Sequence, residues 1–418
     1  MTRLPYSIAA LRRIPQRRNF WSDLKSTISG IVRGDDHINP QKILERRYLF
    51  SALLALRYRS LLGKVDDPQA VATEELDDEG VDQMGNMELR RELQAALLPQ
   101  VQEIFAAFGE VDQQLDVRLS VSGHKDRLYG IDWEPFVNIL REDREKIEPE
   151  TPFLERKLRA LDTLLQFHDA RELHLSDTET IDDFGVDLSE TSEKSLKLLR
   201  QYQTINMARS TLLKQKLGYS ILCLKSLLSG RGCFIDGSTP PGSIVAFQPG
   251  EVWVKEHLMT TAPEVMAHFD GPNDCHISLR FDEHVLDSRR SPIWVLENPW
   301  ALGHMANHGV PNTQSTMLNY TTAMKVGNSP YIPNNYARPP SWQTVFFDSL
   351  DPVDMHSQCL LSTRTVANEE ITYDYRLQMD EPPAWYEVVH YEDQDLDEID
   401  QVVFFREDWK KDEENTNK

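Results

Sequence analysis

The 418-residue chain, 40% apolar with a formal net charge of -22, is long enough for two or three domains and apolar enough for an ordinary soluble core. The charge speaks against direct nucleic-acid binding, which needs Lys and Arg clustered opposite phosphates, and makes a basic protein the better electrostatic partner. No apolar run approaches the ~20 residues of a membrane span: the longest, at 49–56, runs straight into Arg57 and Arg59.

In chain order, residues 1–40 form a basic leader. Arg3, Arg12, Arg13, Arg17 and Arg18 precede the first acid, Asp23, in an Ala/Ser/Leu/Ile setting. That composition suits a mitochondrial transit peptide, and equally a leader helix packed on the domain or on a partner. Nucleus, cytoplasm and mitochondrion therefore all remain open as intracellular compartments. Residues 41–213 read as helical. Ile43, Leu44, Leu49, Leu53, Leu54, Leu56 and Leu61 recur at near-helical spacing, as do Leu89, Leu93, Leu97, Val101, Ile104, Phe105 and Phe108. An acidic linker near 64–86 separates the two stripes. A third helix starts at Thr151-Pro152, with proline in the first turn, and carries Phe153, Leu154, Leu158, Leu161, Leu164 and Leu165. A fourth spans 192 to about 209. Core packing accounts for these stripes.

From Ser229 onward, Pro- and Gly-bearing turns divide short β-branched and aromatic runs, which predicts strands near 243–247, 251–254, 276–281 and 358–363. The Pro- and Asn-rich loop at 327–340 borders a groove or is a surface excursion. Residues 378–418 form an acidic, solvated tail. Cys223, Cys233, Cys275 and Cys359 lie far apart with no Cys-x-x-Cys pair, so they read as small buried groups in a reducing compartment rather than a zinc site or a redox centre. His304 and His308 are four apart, but Met305 stands where a zinc protease needs its general-base glutamate, and no third ligand is evident. No metal is expected.

Three strings stand in one order: Ser-Gly-Arg-Gly-Cys-Phe at 229–234, Asn-Pro-Trp-Ala-Leu-Gly-His-Met-Ala-Asn-His-Gly at 298–309, and Glu-Glu-Ile-Thr-Tyr-Asp-Tyr at 369–375. By themselves they are a turn free to take positive φ, a possible packed histidine, and two tyrosines two apart that form either a shared aromatic wall or buried core rings. Their order and spacing resemble a SET domain, and with Lys-Leu-Gly-Tyr-Ser at 216–220 and Pro-Pro-Gly-Ser-Ile-Val at 240–245, the SET domain-containing protein 9 family in particular. The likeness covers 214–377.

The resemblance implies an α+β chain: a helical N-terminal region, then a mainly β SET domain with a knotted C-terminal segment. It implies S-adenosyl-L-methionine-dependent methylation of a lysine-bearing, basic protein, with a catalytically inactive SET-fold binding or scaffold module as the alternative. A helical interaction protein is a third reading. By the same resemblance Gly230, Arg231, Gly232 and Cys233 hold the amino-acid end of the cofactor, approached by 217–228, and Asn307 and His308 contact it further. Tyr375 is the catalytic tyrosine. Tyr373 lines the lysine channel with it, and as a tyrosine at the phenylalanine/tyrosine switch it favours monomethylation. Two departures stand out. Asn368 replaces the glycine before Glu-Glu, an exchange that a left-handed turn tolerates. Gly309-Val310 replaces Ser-Cys, which fits a channel closed by protein rather than zinc, with 379–389 as the closing segment.

Overall fold

A computed structural model describes residues 84–116, 131–169, 192–226, 230–253, 277–279, 284–289, 298–319, 331–332, 334–336 and 356–375, with Leu228 and most of 49–60. The basic leader, nearly all of the acidic linker, most of the 327–340 loop, the 379–389 segment and the acidic tail lie outside the described residues. The order is helices first, strands second, an α+β chain. Among the described residues no helix is long and apolar enough to cross a membrane.

Among the described residues, four long helices are preceded by a helical stretch at 52–57. The first, α1 (Asn86–Gln114), buries Leu89, Leu93, Leu97, Val101, Ile104 and Phe108, the stripe expected from spacing. Helix α2 (Glu134–Glu145) was not anticipated, because its buried face has only Phe136, Val137 and Leu140 amid charged residues. The signal was local: Asp132 accepts the Glu134 N–H at 3.1 Å and Pro135 occupies the first turn. Helix α3 (Pro152–Asp169) begins where Thr151 Oγ1 accepts the Leu154 N–H. Helix α4 (Glu193–Leu217), capped by the Ser192 hydroxyl, continues past the expected end near 209 and stops at Gly218, whose φ of 82° closes it.

Among the described residues twelve short strands follow. β1 (Tyr219–Lys225) and β2 (Arg231–Thr239) form a hairpin joined by β11 (Val366–Ala367). β3 (Ile244–Gln248), β10 (His356–Ser362) and β8 (Thr313–Asn319) form a second sheet in the order β3-β10-β8. β5 (Ile277–Leu279), β6 (Val285–Asp287), β4 (Gly250–Trp253) and β9 (Asn334–Tyr336) form a third. β7 (Asn307–His308) and β12 (Thr372–Tyr373) pair in parallel. The four expected strands are β3, β4, β5 and β10; β1, β2 and β8 were not placed individually. The knot expected at the C-terminal end is not established by these pairings, since the chain after Tyr375 lies outside the described residues.

Helices and strands share one apolar core. Trp300, fully buried, packs edge-on to Phe108 of α1 and against Tyr219 of β1, while Phe105 meets Phe247 of β3. Gln100 reinforces this by donating to Gly242 O and accepting from Ile244 N. Among the described residues, one buried ion network joins helix to helix and another joins helices to a strand. Arg209 of α4 forms a two-pronged pair with Asp112 of α1 at 2.6 Å, and Tyr331 donates to the same carboxylate. Lys157 of α3 lies between Asp143 of α2 and Asp236 of β2, at 2.7 and 2.6 Å, with Lys214 also on Asp236. Burial pulls the Lys157 ammonium pKa down, but the two carboxylates outweigh it and leave it raised.

Candidate active site

The site is assembled from three stretches of chain. The β1–β2 hairpin closes at a turn where Ser226 N donates to Gly230 O and Gly230 adopts φ 51°. Among the described residues beyond its chain neighbours, nothing stands within 4 Å of the place where a Gly230 side chain would begin, so its backbone is open to approach. Gly232 is glycine for the opposite reason. A Cβ there would stand 2.3 Å from Glu370 Oε1.

That carboxylate oxygen is the junction of the site. It accepts from Ser226 Oγ at 2.7 Å and from Asn307 Nδ2 at 2.8 Å, while Asn307 Nδ2 also donates to Arg231 O at 3.0 Å. Each of the three strings therefore supplies one corner of a single hydrogen-bonded cluster. Glu370 and Glu369 are neighbours with separate tasks: Glu369 faces outward and makes a two-pronged pair with Arg364.

Asn298 and Trp300 carry the middle string into place. Asn298 Oδ1 accepts Trp300 N, Asn298 Nδ2 donates to Tyr331 O, and Phe247 N donates to Trp300 O. A short 3-10 turn at Gly303–Met305 then delivers β7. A Gly303 Cβ would press on Gln248 Oε1 and Phe247 O, so glycine lets the turn lie close on β3. Asn312 holds the last string: it donates to Glu370 O and accepts from Thr372 N, at 2.7 and 2.9 Å. The β7–β12 register sets Thr372 opposite Asn307 and Tyr373 opposite His308.

Tyr373 and Tyr375, two apart, were expected to form a shared aromatic wall or buried core rings. The strand ends at Tyr373, yet the two rings still meet, with centroids 4.9 Å apart, and His308 lies 5.4 Å from Tyr375. The reason is a pair of local tethers. Tyr375 N donates to His308 Nδ1 at 3.3 Å, and Tyr375 OH donates to Ala306 O at 2.9 Å. Because His308 Nδ1 accepts a backbone proton, its neutral ring carries hydrogen on Nε2. Asp374 Oδ1 lies 3.9 Å from the same ring.

The other sequence candidates fall as follows. Arg231 has an exposed side chain and contributes its carbonyl to the cluster. Cys233 is fully buried, burial pushes its thiol pKa well up, and its carbonyl accepts Ile371 N, so its side chain faces the core. His304 lies in the 3-10 turn. Among the described residues no group of three His, Cys, Asp or Glu side chains could hold a metal ion. Sequence reasoning missed Glu370, Asn312 and Ser226. Glu370 stood inside a quoted string without a role, and only the space left by Gly232 reveals one.

What the fold and site define is an α+β protein whose distant segments converge on an open glycine turn beside a histidine–tyrosine wall. No protein-family model matches the chain, and no curated protein matches it. Among solved structures it is similar to CpSET8 from Cryptosporidium, at 15% identity, with 66% of this chain and 99% of that chain covered and a TM-score of 0.25. A likeness of that size carries no argument about activity.

Proposed function

We propose that this chain has a SET-type fold and transfers a methyl group from S-adenosylmethionine to a lysine of a basic protein. The observation that carries the reading is the Glu370 junction, which joins the Gly230 turn, Asn307 and the strand leading to Tyr375 in one cluster. The residues suit the cofactor. An open backbone at Gly230 admits a polar amino-acid end, and carbonyl oxygens with the tyrosine rings suit a cationic sulfonium. When bound, the cofactor supplies a methyl group activated by positive sulfur.

The chain's own task is to present a neutral amine. A lysine with pKa near ~10.4 costs roughly 4.6 kcal/mol to deprotonate at pH 7. Tyr373 and Tyr375 offer a ring-lined channel that takes the lysine stem and withdraws the amine from bulk water, which lowers that cost without a dedicated base. Ala306 O fixes the Tyr375 hydroxyl, so the ring is preorganised for in-line attack. Tyr373 adds a second hydroxyl to the channel and favours monomethylation. The net charge of -22 attracts a basic substrate.

Calorimetry with S-adenosylmethionine tests the first half: micromolar binding that Asn307→Ala abolishes supports the reading, and absence of binding by the native chain overturns it. Labelled methyl transfer to a lysine-bearing proteome tests the second. Transfer lost in Tyr375→Phe supports catalysis, whereas binding without any transfer supports a SET-fold binding module instead. Efficient trimethylation would remove the role given to Tyr373.

A further inference from the structure

The β1–β2 register places Cys223 directly opposite Cys233. Whether two such residues can be bridged depends on which kind of antiparallel pair they form, and the backbone settles it. Ser226 and Gly230 sit on the same register and are joined by the bond from Ser226 N to Gly230 O, so they are a hydrogen-bonded pair. Antiparallel pairs alternate. Leu224–Gly232 and Leu222–Phe234 are then hydrogen-bonded, and Cys223–Cys233 is a non-hydrogen-bonded pair. Bonds on the far edge of β2 agree: Cys233 O accepts Ile371 N and Ile235 N donates to Glu369 O, so the main-chain groups of these two residues point away from β1.

In a non-hydrogen-bonded pair the Cα atoms approach to about 4.5 Å with side chains on one face, inside the ~4.4–6.8 Å range that a disulfide requires. Both residues are thiols here, Cys223 half-buried and Cys233 buried. The next pair on that face is Lys225 opposite Arg231, two exposed cations. We propose that Cys223 and Cys233 form a reversible dithiol/disulfide site, oxidised by an anionic low-molecular-weight disulfide that meets Lys225 and Arg231, and that the bridge locks the hairpin carrying the Gly230 turn. This goes beyond methyl transfer and stands whichever activity the site has.

The chemistry proceeds in two exchanges. The Cys223 thiolate attacks one sulfur of the small disulfide, forming a mixed disulfide and releasing the first small thiol. The Cys233 thiolate then attacks the Cys223 sulfur, forming the Cys223–Cys233 bond and releasing the second. Two electrons and two protons pass from the protein pair to the reagent. Burial of Cys233 makes the second exchange slow, because only its thiolate attacks.

Full-length protein is incubated with oxidised glutathione, alkylated with N-ethylmaleimide and mapped by tandem mass spectrometry. The expected product is a Cys223–Cys233 linkage lighter by two hydrogens and reversed by dithiothreitol, while Cys359, buried with a raised pKa and no cysteine opposite it, is not linked to either. Cys233→Ser should retain glutathione on Cys223, and Cys223→Ser should leave position 233 unmodified. Separate alkylation of both cysteines, or a glutathione adduct on native Cys223 that never exchanges onto Cys233, overturns the proposal. Because the readout is covalent mass, it is independent of cofactor binding and of turnover.

Discussion

At the scale of single residues, Asn368 and Glu370 show how one side chain holds a turn or a junction in place. Asn368 takes the left-handed φ of 50° that glycine would supply, and also accepts Gly237 N through its side-chain oxygen at 2.9 Å. Asn368→Ala should lose both and cost about 1–2 kcal/mol in urea unfolding, with Asn368→Gly losing less because the backbone strain is absent. Equal losses would show that the hydrogen bond, not the dihedral, carries the preference. Glu370→Ala removes the acceptor shared by Ser226 and Asn307 and should cost about 1.5–3 kcal/mol of stability. On the proposed function it should also weaken S-adenosylmethionine binding at least as much as Asn307→Ala, since Asn307 then loses its anchor.

Among elements, the helices are held to one another, and α3 and α4 to β2, by charges that burial makes demanding. Arg209 is fully buried against Asp112, so Arg209→Leu strands a carboxylate in the core and should cost about 3–5 kcal/mol, most of which Asp112→Leu in the same chain should restore. A double variant as unstable as the single one would show that packing around the guanidinium, not the unpaired charge, dominates. The α3–α4 contact carries a pH dependence through His168. Thr204 donates its hydroxyl to Arg200 O, so His168 Nε2 donates to Thr204 Oγ1, and the ring packs on Trp133. Burial lowers the His168 pKa below its ordinary 6.5, so its contribution is present above pH 6.5 and is lost as pH falls through the lower folded value. Urea midpoints should drop on acidification across that window, and His168→Gln should flatten this part of the profile.

For the molecule as a whole, Phe105, Trp300 and Lys157 tie helices and strands into one core, so the strand-rich half should not fold alone. A fragment beginning at Lys214 exposes Tyr219, Phe234 and Phe247, and should aggregate or lack a cooperative transition, whereas the whole chain should lose helix and tryptophan burial together. The sequence by itself determined the division into helices and strands, the α1 stripe, the Thr151 helix start and the order of the three strings, because periodicity, capping and turn chemistry are local; in α3 the buried face runs through Lys157 and Ala160, leaving Leu154, Leu158 and Leu165 half-buried. It did not show α2, whose apolar face is too thin to stand out from its charges, nor the end of α4, which Gly218 sets rather than the weakening stripe near Arg209. Only the tertiary structure decided that Glu370 occupies the space left by Gly232, that Asn307 reaches Arg231, and that Tyr375 turns onto Ala306 beyond the strand's end. Those are contacts between residues far apart in the chain, and their geometry depends on strand register and packing, which no stretch of sequence encodes alone.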